Sequence, residues 1–168
     1  MLRTGQIEKI WNIEDYKTLE YKYDTHKDFD LLDQYESLGH SRSHMTLYNY
    51  FEPNPMPKSV KAVIENFQHF KNISVAVNLF KPGQYLPVHI DLFGRYRTVH
   101  RLDDTAKIAR AIVMLEDSEP GQISQACEST FGNWNAGFWL QWDEHDPHAF
   151  YNFSMQDRYA LQITGVLA

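Results

Sequence analysis

The chain has one cysteine, Cys127, among its 168 residues, so no disulfide can form within it. A lone cysteine suits a reducing compartment such as the cytosol. No apolar run approaches the length of about 18 residues that a membrane-spanning helix requires. The first residues also lack the apolar stretch of a secretory signal. We therefore expect a cytoplasmic protein with no membrane partner.

The chain also lacks an excess of positive charge. It has 16 Lys and Arg residues against 22 Asp and Glu residues, which gives a net charge of −6. Proteins that bind nucleic acids usually have a basic surface, so a nucleic-acid partner is not expected. A local basic patch of Arg95, Arg97, His100 and Arg101 is the one feature that points the other way.

The length suits a single domain, and no repeat or flexible linker divides it. We expect one domain over 1–168, with an N-terminal support region at 1–72 and a strand-rich core at 73–168. In the support region, apolar residues at helical spacing predict an amphipathic helix over Lys58–Phe70. The core contains short apolar segments separated by turns, which is typical of a β-sandwich or barrel. The main expected strands are Ile73–Phe80, Tyr85–Leu92, Ile108–Leu115, Gly137–Trp142, His148–Phe153 and Arg158–Val166.

A possible metal site begins in the second of these strands. His89 and Asp91 are two residues apart, so their side chains lie on the same face of a strand. An imidazole and a carboxylate together make two thirds of a 2-His-1-carboxylate site, which suits non-haem Fe(II) with open coordination positions. The third ligand has to come from farther along the chain, where His145 and His148 are rival candidates.

The pattern His-x-Asp, a distal His148 and then Arg158 ten residues later resembles the Fe(II)/2-oxoglutarate-dependent oxygenases. This resemblance implies a mainly β fold, a double-stranded β-helix (a jelly roll, cupin-like) flanked by the N-terminal helix. It implies that His89, Asp91 and His148 hold Fe(II) and that Arg158 pairs with the far carboxylate of 2-oxoglutarate, with O2 as the other cosubstrate. The ten-residue step to Arg158 favours His148 over His145.

Two further residues are candidates for binding the cosubstrate. Arg110 lies in the middle of an apolar strand, where a charged group is costly unless it is paired. The resemblance implies that Arg110 contacts a carboxylate of cosubstrate or substrate; a structural ion pair with an acidic side chain is the alternative. Tyr85 precedes His89 by four residues on the same expected strand, so its hydroxyl is placed to bond 2-oxoglutarate, although a core tyrosine fits equally well.

The polar segment Leu92–Asp104 follows the expected metal strand and is predicted to be a loop near the iron. Its residues Arg95, Arg97 and Arg101 are candidates for holding an acidic group of the substrate. The alternative is a solvated loop whose charges balance.

Within the oxygenases, Lys81-Pro82-Gly83 and His148–Asn152 look most like the aspartyl/asparaginyl hydroxylases, and prolyl hydroxylases share the same metal pattern. Animal-type aspartyl/asparaginyl hydroxylases lack the carboxylate ligand, whereas Asp91 is present here. The resemblance implies hydroxylation of an amino-acid side chain, in a peptide or protein or in a free amino acid, coupled to decarboxylation of 2-oxoglutarate to succinate. The alternatives are a cupin-like metal-binding protein that is not an oxygenase, and a nucleic-acid dealkylase, which the acidic charge disfavours.

Overall fold

The computed structural model describes residues 1–24 and 29–168. Within these ranges the strands are β1 (Arg3–Gln6), β2 (Lys22–Tyr23), β3 (Tyr48–Phe51), β4 (Phe70–Phe80), β5 (Tyr85–His89), β6 (Ile108–Met114), β7 (Gln122–Ala126), β8 (Ser129–Phe131), β9 (Phe138–Asp143), β10 (His148–Asn152) and β11 (Arg158–Leu167). The helices are α1 (Glu14–Lys17), α2 (Phe29–Ser37), α3 (Lys58–Ala62) and α4 (Gly94–His100), and a 3₁₀-helix spans Val63–Phe67.

The strands form two antiparallel sheets. The large sheet has the order β1-β9-β6-β11-β4-β3-β2, and the small sheet has the order β5-β10-β7-β8. From β4 to β11 the chain passes back and forth between the sheets, with β4, β6, β9 and β11 in the large sheet and the other four strands in the small one. Eight strands arranged in this way make a jelly roll. The expected double-stranded β-helix fold is therefore confirmed.

The central strands of the large sheet, β4, β6 and β11, are buried on both faces over most of their length. The outer face of this sheet packs against the N-terminal helices through a cluster that includes Val77, Val113 and Leu161. The inner face packs against the small sheet through a second cluster that includes Ile112 and Phe150. β6 lies between these clusters, which explains why nearly all of its residues are apolar and buried.

The expected helix over Lys58–Phe70 is shorter in the structure. One turn of α-helix, α3, is followed by the 3₁₀-helix, and Phe70 is already the first residue of β4. Phe70 pairs with Leu167 of β11, so the chain has to be extended at that point. The apolar side chains of the helical part still pack as the pattern indicated, with Val60 and Phe67 buried against the outer face of the large sheet.

The N-terminal region contributes strands to the large sheet as well as helices. β1 pairs with β9 at one edge, and β2 and β3 extend the other edge beyond β4. The division at residue 72 stays a prediction. No helix among residues 1–24 and 29–168 is long and apolar enough to cross a membrane.

Candidate metal centre

His89, Asp91 and His148 meet at one end of the space between the sheets. Each offers one ligand atom, and these atoms all lie within 4.8 Å of one another. The Nε2 atom of His89 is 3.9 Å from Oδ1 of Asp91, and Nε2 of His148 is 3.4 Å from Oδ2 of the same carboxylate. The three side chains therefore form a compact cluster of two imidazoles and one carboxylate.

Strand pairing brings these residues together from distant parts of the chain. His148 lies directly opposite His89 in the antiparallel pair of β10 and β5. Asp91 comes two residues after His89, where β5 has already ended. His145, the rival ligand, lies in the turn before β10, where its side chain is exposed and its φ is +72°. It takes no part in the cluster.

Backbone carbonyl groups orient both imidazole rings. Nδ1 of His89 is 2.7 Å from the carbonyl oxygen of Pro87, and Nδ1 of His148 is 3.0 Å from that of Asp146. A carbonyl oxygen can only accept a hydrogen bond, so Nδ1 of each ring donates a proton to it and Nε2 is the ring atom that faces the cluster. This arrangement is the one that a metal-binding histidine requires.

The charge states also suit a cation. Burial lowers the pKa of His89 below its ordinary value of 6.5, and the neighbouring ring of His148 lowers it further. Burial would raise the pKa of Asp91, but Arg110 and the two imidazoles outweigh that effect and hold it well below its usual range. At neutral pH His89 is therefore neutral and Asp91 is ionised, as metal binding requires.

Arg158 lies at the other end of the same cavity. The cavity is bounded between the two ends by Leu86, Ile112, Phe150 and Ala160. The side chain of Arg158 is buried, and it donates hydrogen bonds to the carbonyl oxygens of Ile123 and Tyr151 and to Oγ of Ser124.

All these partners of Arg158 are neutral. Within the described part of the chain no carboxylate pairs with it, and its Nε has no hydrogen-bond partner. Burial lowers the pKa of Arg158 to about 9, so the guanidinium is still charged at neutral pH. The cavity therefore ends at a buried cation that a protein carboxylate does not neutralise.

Arg110 contacts a carboxylate of the protein itself. Its Nη1 donates to Oδ2 of Asp91 at 2.8 Å, and its Nε donates to Oγ1 of Thr164 at 3.1 Å. The guanidinium carbon lies 4.8 Å from the centre of the Phe93 ring. Of the two sequence interpretations, the structure shows the ion pair; a contact with cosubstrate or substrate stays a prediction.

Tyr85 does not line this cavity, contrary to the sequence-based expectation. His89 pairs with His148, but Leu86 pairs with Phe150, so β5 has one extra residue where β10 has none. This bulge reverses the alternation of side chains. It turns Leu86 toward the cavity and Tyr85 away, where the Tyr85 hydroxyl is 2.6 Å from Nδ1 of His40.

We predict that Tyr85→Phe affects the stability of the protein and not its binding of cosubstrate. The change removes the hydrogen bond to His40, which costs about 1 kcal/mol, and leaves the cavity wall unchanged. Urea denaturation measures the first effect and titration of the metal-loaded protein with 2-oxoglutarate the second. A loss of affinity of about tenfold, which corresponds to about 1.4 kcal/mol, would place the Tyr85 hydroxyl in the site after all.

The segment expected to be a loop after Asp91 contains the helix α4. Arg97 on this helix pairs with Glu144 at 2.6 Å and donates to the carbonyl oxygens of Asp103 and Ala106. Arg97 thus fixes the helix to the body of the protein. Arg95 and Arg101 are exposed, and the guanidinium of Arg95 lies 5.6 Å from the ring of Phe51. Their role with substrate stays a prediction.

The structure adds residues to the site that were not predicted to belong to it. The Trp142 ring lies 4.4 Å from that of His148, and its Nε1 is buried with no partner among the described residues. Ser124 reaches Arg158 from the small sheet, and Thr164 holds Arg110. Alternate residues of a strand share a face, so counting in steps of two from Arg158 through Gln162 would have placed Thr164 on the face that lines the site. No sequence signal pointed to Ser124.

Comparisons with known proteins agree with the fold. No family model and no curated protein matches the sequence. Among solved structures, a prolyl-4-hydroxylase from Pseudomonas putida matches 93% of this chain and 97% of its own, with a TM-score of 0.56 and 12% identity. The viral collagen prolyl hydroxylase of Paramecium Bursaria Chlorella virus-1, in its 2-oxoglutarate complex, matches 92% and 100% with a TM-score of 0.54 and 14% identity.

A putative sugar phosphate isomerase from Acidithiobacillus ferrooxidans also matches, over 94% of this chain and 75% of its own, with a TM-score of 0.50 and 10% identity. At such identities the likeness establishes the fold alone. The chain is therefore a jelly-roll protein with a His-Asp-His cluster of the kind that can hold a metal ion.

Proposed function

We propose that this protein is an Fe(II)/2-oxoglutarate-dependent dioxygenase that hydroxylates an amino-acid side chain. The observation that carries the proposal is a cavity whose wall includes two members of the metal cluster, His89 and His148, at one end and the buried cation Arg158 at the other. 2-Oxoglutarate matches both ends, because its 2-oxo acid group can chelate a metal ion and its far carboxylate can pair with a cation.

The donor set fits Fe(II). Two neutral imidazoles and one carboxylate are the ligands of non-haem iron sites that keep coordination positions open. When bound, iron would supply the redox chemistry of the reaction. One atom of O2 would enter succinate as 2-oxoglutarate loses CO2, and the other would be inserted into a C–H bond of the substrate. Binding and orienting the two organic molecules is left to the protein.

The side chains between the two ends would hold the cosubstrate. A guanidinium pairs with a carboxylate through two parallel hydrogen bonds, so Arg158 would fix the far carboxylate of 2-oxoglutarate. The apolar side chains of Ile112, Phe150 and Ala160 would exclude water from its methylene groups. Because the cavity encloses about 30 Å³, close to the space of one water molecule, we expect side chains that line it to shift when 2-oxoglutarate binds.

The substrate would approach the metal centre from the side of His89, Asp91 and Arg110. These side chains are 19%, 13% and 20% exposed, whereas His148 on the other side of the cluster is 2% exposed. The substrate we propose is an amino-acid side chain, in a peptide or protein or in a free amino acid. Two proteins of similar fold are named as prolyl hydroxylases, which supports an amino-acid side chain as the class of substrate.

Anaerobic addition of Fe(II) and 2-oxoglutarate to purified protein tests the proposal. We expect a visible metal-to-ligand charge-transfer band, because the 2-oxo acid chelates the iron. Succinate is the matched control: it has the two carboxylates but lacks the 2-oxo group, so it should give no band. Folded protein that shows no band with 2-oxoglutarate would overturn the oxygenase and leave a cupin-like metal-binding protein as the better account.

A further inference from the structure

The two oxygens of the Asp91 carboxylate are in different surroundings. Oδ2 accepts a hydrogen bond from Nη1 of Arg110 at 2.8 Å, within an ion pair, and also lies 3.4 Å from Nε2 of His148. Oδ1 faces His89 and accepts no hydrogen bond from the described residues. Since Arg110 already binds one oxygen, the carboxylate has one oxygen left that accepts no hydrogen bond from residues 1–24 and 29–168.

Arg110 is itself held from two other directions. Its Nε donates to Oγ1 of Thr164, which lies opposite it on β11. Its guanidinium packs over the ring of Phe93, where a cation is attracted to the aromatic face. Phe93 has a φ of +50°, a backbone conformation that a bulky residue rarely adopts. The guanidinium is thus held by Thr164 on the neighbouring strand β11 and by the ring of Phe93, which lies two residues after Asp91.

We propose that Arg110 is a positioning residue that restricts Asp91 to binding the metal through a single oxygen. A free carboxylate can bind a cation through one or both oxygens. With Arg110 on Oδ2, Asp91 takes one coordination position and three stay open for cosubstrate and O2. This role differs from a direct contact between Arg110 and 2-oxoglutarate, and it rests on the metal centre of the proposed function.

The consequence for an Arg110→Met variant has a definite sign. Loss of the guanidinium frees Oδ2 and removes a positive charge near the cation, so the metal should bind at least as tightly as in the wild type. The freed oxygen would occupy one more coordination position. The variant should therefore hold about one coordinated water fewer and bind 2-oxoglutarate about tenfold more weakly, the lower end of the range for residues that orient metal ligands.

Mn(II) is a suitable probe because it accepts imidazole, carboxylate and water ligands. Water-proton relaxation gives the number of exchangeable waters on the bound ion, and the same titration gives its affinity. Arg110→Lys, which keeps a cation near Oδ2, should retain the wild-type number of waters. Arg42→Met is the matched control: it removes an arginine paired with Asp33 and Glu36, away from the cavity, and should change neither quantity.

The outcomes separate the two proposals. Wild-type protein that binds no Mn(II) would overturn the metal centre. If the wild type binds Mn(II) and folded Arg110→Met shows the same number of waters and the same 2-oxoglutarate affinity, only the role of Arg110 is overturned. Loss of Mn(II) binding in folded Arg110→Met would overturn it as well. Should Arg110→Met fail to fold, Thr164→Val decides: it removes the hydrogen bond to Nε, and the proposal expects a smaller change in the same direction.

Discussion

His148→Ala is expected to weaken metal binding by more than about 100-fold, because even residues that only orient a metal ligand are worth about 10–100-fold. The Nε2 atom of His148 is one of three ligand atoms in the cluster, and Nδ1 is committed to the carbonyl oxygen of Asp146. Without the imidazole, two ligands remain, His89 and Asp91. Titration with Mn(II) measures the loss, and circular dichroism shows whether the variant is folded.

His145→Ala is the matched control for this prediction. The two histidines are three residues apart, but His145 is exposed in the turn before β10 and lies outside the cluster. Its removal should leave Mn(II) affinity unchanged. The opposite result, in which His145→Ala loses the metal and His148→Ala keeps it, would mean that the chain before β10 adopts another register. Free imidazole that restores binding to His148→Ala would show that the loss is one of a ligand and not of the fold.

The parts of the site that lie on regular strands were the easiest to predict from the sequence. The period of two predicted that His89 and Asp91 lie together, and they do, although β5 ends at His89 and Asp91 lies just beyond it. Arg158 begins β11, as the apolar segment from Arg158 predicted. The same rule failed at Tyr85, because a bulge adds one residue to β5 between Leu86 and His89. A bulge depends on pairing with the neighbouring strand, so a single strand's sequence does not reveal it.

Contacts between the sheets and the loops could not be predicted from the sequence for a related reason. Arg110 reads as a charge that needs a partner, but its pairing with Asp91 depends on how the large sheet faces the end of β5. The helix α4 was expected to be a loop because it is polar and buries no residue, so it has no apolar stripe. It is held instead by polar contacts such as that of Arg97 with Glu144.

Arg158→Met is expected to lower the affinity for 2-oxoglutarate by at least about 30-fold, because removing one partner of a buried charged pair costs about 2–5 kcal/mol. Mn(II) affinity should not change, since Arg158 lies at the opposite end of the cavity from the metal cluster. The measurement is the rise in melting temperature that 2-oxoglutarate causes in Mn(II)-loaded protein. A ligand that binds only the folded state raises this temperature in proportion to the logarithm of its concentration over its dissociation constant.

Two opposing effects decide the stability of the Arg158→Met protein without ligand. The variant removes the hydrogen bonds that Arg158 donates to the carbonyl oxygens of Ile123 and Tyr151, two residues that are also paired within the small sheet, at about 1.5–3 kcal/mol for each hydrogen bond lost from a charged group. It also removes a buried cation that has no carboxylate partner among the described residues, which is favourable.

Ser124→Ala separates ligand binding from packing around Arg158, because it removes only the hydroxyl that accepts from Nη2 and keeps the charge. It should retain most of the thermal shift with 2-oxoglutarate. A full shift in Arg158→Met would show that the buried cation serves only to join β11 to the small sheet. The far carboxylate would then need another partner, and the proposal of 2-oxoglutarate as cosubstrate would lose its main support. If Arg158→Met loses the thermal shift while Ser124→Ala keeps it, and both variants still bind Mn(II), the result would instead show that the buried charge serves to bind 2-oxoglutarate.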